Sequence, residues 1–81
     1  MPTIHSENGF RFFFFSNENN ENPHVHVEKS GGGAKLNLLE EIYFVWVRGF
    51  SKPDQSRILK ITELHHAKFI YSWYAYFNTY K

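Results

Sequence analysis

Cysteine is absent from the 81 residues, so no disulfide and no thiolate metal site or nucleophile is available. A domain this small therefore needs another source of rigidity. Long hydrophobic runs are also missing. Runs such as Phe12–Phe15 and Ile42–Val47 are far short of the ~20 residues of a membrane helix. The start, Met1-Pro2-Thr3-Ile4, lacks the basic residues and apolar stretch of a secretory signal. These absences lead to the expectation of a soluble, cytoplasmic, single domain spanning residues 1–81, without membrane contact. Net charge is nearly absent too, at +1, but its distribution is uneven. The first 41 residues carry three cations against six carboxylates, and the remainder six against two. The second half can thus offer a basic face to RNA or to an acidic partner, although a solvated helix surface has the same composition.

Aromatic residues are abundant, at 20%. Each buries a large area at small rotamer cost, which suits a chain without staples. Thr3–Ser6 predicts a short strand, and Asn8-Gly9 a tight hairpin turn, since both residues tolerate positive φ. Phe10–Phe15 predicts a central strand, because both of its faces are largely apolar. Ser16–Pro23 is a loop by composition, with four asparagines and a proline. His24–Lys29 alternates strictly, with Val25 and Val27 on one side and His24, His26 and Glu28 on the other. A glycine turn over Ser30–Gly33 leads to Ala34–Leu38, whose Ala34, Leu36 and Leu38 alternate with Lys35 and Asn37. Ile42–Val47 is β-branched and aromatic and predicts the last strand.

Ser51 has the character of an N-cap, with Pro53 and Asp54 in the first turn. From there to about Asn78, Ile58, Ile61, His65, Phe69, Trp73 and Tyr76 follow helical spacing, with Leu64, Ile70 and Phe77 widening the stripe. Weak helix formers around His65-His66 predict a kink or a break into two helices. Of that pair one ring is expected packed and the other exposed. The fold class is α+β: an antiparallel sheet of four or five strands (residues 3–47), covered on one face by one long or two short C-terminal helices (residues 51–78).

The opposite sheet face collects the residues with chemistry. Arg11 and Lys35 suit phosphate, Phe13 and Phe15 suit stacking on a base, and His24, His26 and Glu28 can move protons. His24 and His26 are the candidate catalytic pair, with Glu28 beside them; an exposed His-x-His is equally compatible with a structural or simple binding role. They also share a face from which both can ligate zinc. Zinc wants a third protein ligand, and only Glu28, His5 from a neighbouring strand, or His65 or His66 from the helix would supply one. No metal and no cofactor is expected.

The stretches MPTI, GFRFFFF leading into SNE, NPHVHVEK, AKLNL and RGFS, with the late Trp73 and Phe77 pair, resemble the family known as domain of unknown function 4160 across nearly the whole chain. Two features depart from its pattern. Family members tend to carry a histidine in the loop before a Pro-Pro-His sequence, whereas this chain has Asn19 in that neighbourhood and Asn22 before Pro23; and Phe13 and Phe15 stand where the family often shows tyrosine. The resemblance implies a toxin-like member of a toxin–antitoxin-like gene pair, bound to a small partner protein. Two functions follow from it: an RNA-directed protein, in the enzymatic case a metal-independent ribonuclease using the histidine face, or a non-catalytic module that binds a protein through its aromatic sheet face. A homodimer is compatible with either.

Overall fold

The computed structural model describes residues 3–15 and 21–77. Five strands, β1 (Thr3–Glu7), β2 (Phe10–Phe13), β3 (His24–Lys29), β4 (Gly32–Asn37) and β5 (Tyr43–Arg48), precede two helices, α1 (Lys52–Leu64) and α2 (His66–Phe77). The strands form one antiparallel meander in the order β1-β2-β3-β4-β5. The fold is therefore the expected α+β arrangement, with five strands and two helices. Residues 16–20 of the expected loop and the helix end at Asn78 lie outside the described residues.

Local chemistry explains each turn. Asn8 and Gly9 have φ of 54° and 82°, the mirror-image turn that matches strand twist. Ser30 and Gly31 repeat it, with φ of 49° and 85°. The glycine turn is thus only two residues long. Gly32 and Gly33 instead belong to β4, opposite Lys29 and Glu28. β2 is shorter than expected: Phe14 and Phe15 run on beyond the ladder, with Phe14 still fully buried.

Ser51 caps α1, its Oγ accepting from the Asp54 N–H at 3.3 Å. α1 ends at His65, whose φ of −109° and ψ of 20° leave the helical region, and α2 begins at once. Neither histidine of that pair is fully packed or fully exposed; both are half-buried. His66 Nε2 donates to the Leu38 carbonyl.

The core lies between the helices and one sheet face. Phe10, Phe12, Phe14, Val25, Val27, Ala34, Leu36 and Leu38 meet Ile58, Ile61, Phe69 and Trp73. Leu64 and Tyr76, included in the helical stripe, are instead exposed.

Candidate functional site

The register brings the outer-face residues into rows across the sheet. One row runs Ser6, Arg11, Glu28, Gly33, Arg48; the next runs Phe13, His26, Lys35, Trp46. His24 lies opposite Asn37, which in turn lies opposite Tyr43. All the candidate residues read from the alternation therefore share one face. Trp46 and Arg48 join them from β5. Strict alternation along β5 would place them with Phe44, which packs against the core; the irregularity between Phe44 and Trp46 carries both to the outer face.

The histidines are far less accessible than an exposed strand face implies. His24 and His26 retain 3% and 7% of their accessible surface. The His26 ring stacks on Phe13, with centroids 5.5 Å apart and planes at 25°. The Phe15 ring stands edge-on to it at 4.6 Å, and Trp46 lies at 6.4 Å. His24 touches both His26 and Trp73 of α2, at 5.1 and 4.7 Å, so it joins the outer cluster to the core at the end of the sheet. Its Nδ1 also meets the Asn22 carbonyl at 2.9 Å. These rings are packed components of an aromatic cluster.

The fixed cations are mostly engaged. Arg11 donates from Nη1 to Glu28 at 2.7 Å and from Nε to the Thr3 hydroxyl at 2.8 Å, and its guanidinium lies 4.4 Å above the Phe13 ring. Lys35 donates to Glu21 at 3.1 Å. Arg48 lies 5.3 Å from the centre of the Trp46 ring. Among the described residues no carboxylate forms an ion pair with Arg48. Its guanidinium is the cation on this face most available to a ligand.

Gly33 opens the face between Glu28 and Arg48. A hollow of about 170 Å³ lies there, walled by Phe13, Phe15, His26, Trp46 and Arg48. A more open one of about 620 Å³ adjoins it at the turn end, among Arg11, Glu28, Lys29 and Arg48. Phe15 and Trp46 keep 37% and 40% of their surface exposed, so the rim of the smaller hollow is aromatic and accessible. Chemically, the arrangement offers ring faces, one available guanidinium and a shallow apolar recess.

A second polar cluster lies on the other side of the sheet. His5 and Glu7 of β1 face the helices and meet His65 at the α1–α2 break. Counted back from the Asn8-Gly9 turn, Glu7 pairs with Phe10, Ser6 with Arg11 and His5 with the inward-facing Phe12; the bulge between His5 and Thr3 then puts Thr3 opposite Phe13, on the outer face. His5 is therefore separated by the sheet from His24 and His26.

No helix among the described residues is long and apolar enough to cross a membrane. The family model described as domain of unknown function (DUF4160) matches residues 9–74, and the chain belongs to that family. No curated protein and no solved structure matches it.

Proposed function

We propose that this DUF4160 protein is a non-catalytic docking module, the toxin-like half of a two-protein pair, that binds its small partner protein through the outer sheet face. The observation that carries this is the burial of His24 and His26 inside the aromatic cluster. A general acid and base must reach the proton it transfers within hydrogen-bond distance, and imidazoles roofed by Phe15 and Trp46 offer little such access. Arg11 and Lys35, the residues suited to phosphate, are drawn into ion pairs with Glu28 and Glu21. Around the recess, Phe15, Trp46 and Arg48 stay accessible. Aromatic residues and arginine around a recess are the usual composition of binding hot spots. The partner's contribution would be an apolar or aromatic side chain seated in the recess, with a carboxylate on Arg48.

The test is calorimetric titration with the product of the adjacent gene, at two salt concentrations. Phe15→Ala and Trp46→Ala are expected to weaken binding by about 2 kcal/mol or more each, with little change in salt sensitivity. Unaltered affinity in both variants overturns the docking face. The RNA-directed alternative rests on the same Trp46 and Arg48 pair, which resembles a stacking platform beside a cation. It predicts instead an affinity for single-stranded RNA that falls with salt, with the slope reduced by about one ion in Arg48→Ala. RNA cleavage on induced expression that is abolished in a folded His24→Gln or His26→Gln variant would restore the enzymatic reading.

A further inference from the structure

We infer that His5, Glu7 and His65 form a binding site for one divalent cation of the zinc class, clamping β1 against the junction of α1 and α2. Three donors from two distant parts of the chain converge there. His5 and Glu7 project from β1 toward the helices, and His65 is delivered by the residue at which α1 leaves helical geometry. His5 Nε2 lies 2.9 Å from Glu7 Oε1, and His65 Nε2 lies 3.4 Å from the same oxygen. One donor atom from each of the three residues falls within a 4.8 Å limit of the others. Ligands around tetrahedral zinc at ~2.0–2.1 Å are spaced by roughly 3.3 Å, so the donors already stand near the edges of that polyhedron.

The donor types fit as well. Two imidazoles and a carboxylate suit zinc and its first-row neighbours, and leave a fourth position for water or another ligand. Ring packing holds both histidines before any cation arrives. His5 lies against Phe12 and Phe69, at 5.8 and 5.6 Å, and His65 stacks on Phe69 at 6.1 Å. The cluster remains half-open, with Glu7 and His65 side chains about a third exposed, which leaves a route for the ion.

Lys68 sets the conditions for loading. Its Nζ lies 2.9 Å from His5 Nδ1. An ammonium donating there keeps the ring proton on Nε2, where it is donated to Glu7. A cation on Nε2 displaces that proton, so the ring carries its proton on Nδ1 and Lys68 turns out to solvent, where it is already exposed. Loading therefore moves the ring proton from Nε2 to Nδ1 and breaks the Lys68 contact. The positive charge of Lys68 opposes it.

The experiment uses tag-free full-length chain stripped with chelator, titrated with zinc chloride by calorimetry and with cobalt chloride by visible absorption. One ion per chain is expected, with the cobalt spectrum of a low-coordinate nitrogen and oxygen site and a higher melting temperature in the loaded protein. His65→Ala and Glu7→Gln should each weaken binding at least tenfold, their folding checked by circular dichroism. Lys68→Ala should tighten it several-fold. No binding by the wild-type chain, or equal binding in Glu7→Gln and His65→Ala, overturns the site. If binding is instead lost in a folded His26→Gln variant and kept in Glu7→Gln, the ion belongs on the other sheet face and this assignment fails.

Discussion

Trp73 is 1% exposed, and its ring lies 5.1 Å from that of Phe14, 4.7 Å from His24 and 4.3 Å from Phe77. Removing it leaves a cavity that three rigid rings cannot close, so Trp73→Ala should cost about 3–5 kcal/mol in denaturant unfolding. A domain of this size has little more to lose. A midpoint unchanged from wild type would contradict the packing described. Glu7 makes a different single-residue case. The hydrogen bond from His5, reinforced by the charges of His5 and His65 when protonated, holds its carboxyl below the ordinary value of 4.5. A carboxyl depressed by folding adds stability above its unfolded pKa, and that stability is lost as pH falls through the folded value. Carbon NMR titration of chelator-treated protein should place the Glu7 carboxyl below 4.5. Glu7→Gln should flatten the acid limb of the stability curve, and a carboxyl titrating at or above the ordinary value would contradict the contact.

The elements meet most closely where β4 begins. A Cβ on Gly32 would come 2.6 Å from a ring carbon of Phe50 and 2.9 Å from the Gly49 carbonyl. At Gly33 the nearest atom is the far end of Arg48, at 3.2 Å. Phe50 is fixed by its edge contact with Phe10, 5.8 Å between centroids, whereas the Arg48 side chain can move. Gly32→Ala should therefore cost about 1–3 kcal/mol. Gly33→Ala should cost less, while narrowing the recess and weakening partner binding. Thermal unfolding of the two variants side by side checks the order, and a reversed order would mean that Phe50 is not held. The same principle operates in the β3–β4 hairpin. Ser30 and Gly31 alone turn the chain, which frees Gly32 and Gly33 to bring β5 close and to open the outer face.

Across the whole molecule, strands and helices share one core. Phe10, Val25 and Leu36 are buried by Ile58, Phe69 and Trp73, within the one core cluster of the described residues. Sheet and helices should therefore unfold together. Far-ultraviolet circular dichroism and tryptophan fluorescence are expected to give coincident denaturation curves. Separate transitions would show that the helices or the meander stand alone. The molecule also has two unlike surfaces. The outer sheet face is aromatic with one available guanidinium, while the β1–helix junction gathers imidazole and carboxylate groups. A partner on the first and a cation at the second would not compete, because the sheet lies between them.

Much of this was legible in the residues. The alternation of Val25 and Val27 with His24 and His26 assigns the two sheet faces, since a strand has a period of two. Asn8-Gly9 marks a turn, Ser51 a helix cap, and the weak helix formers at His65-His66 a break, each through local backbone or capping chemistry. Those effects act over a few residues, so sequence alone determined the elements, their order and, where no bulge intervenes, the side each residue takes. Depth and company were decided only in three dimensions. Alternation says which side His26 takes; the cross-strand register and the run of chain beyond β2 decide that Phe13, Phe15 and Trp46 cover it. The bulge in β1 and the irregularity between Phe44 and Trp46 break the period of two, and put Thr3 and Trp46 on the outer face although His5 and Phe44 face the core; that His5 then meets His65, sixty positions further along the chain, depends on how the helices lie on the sheet. Pairing and packing across such separations depend on the whole fold, which is why the contacts that carry function emerged only from the tertiary structure.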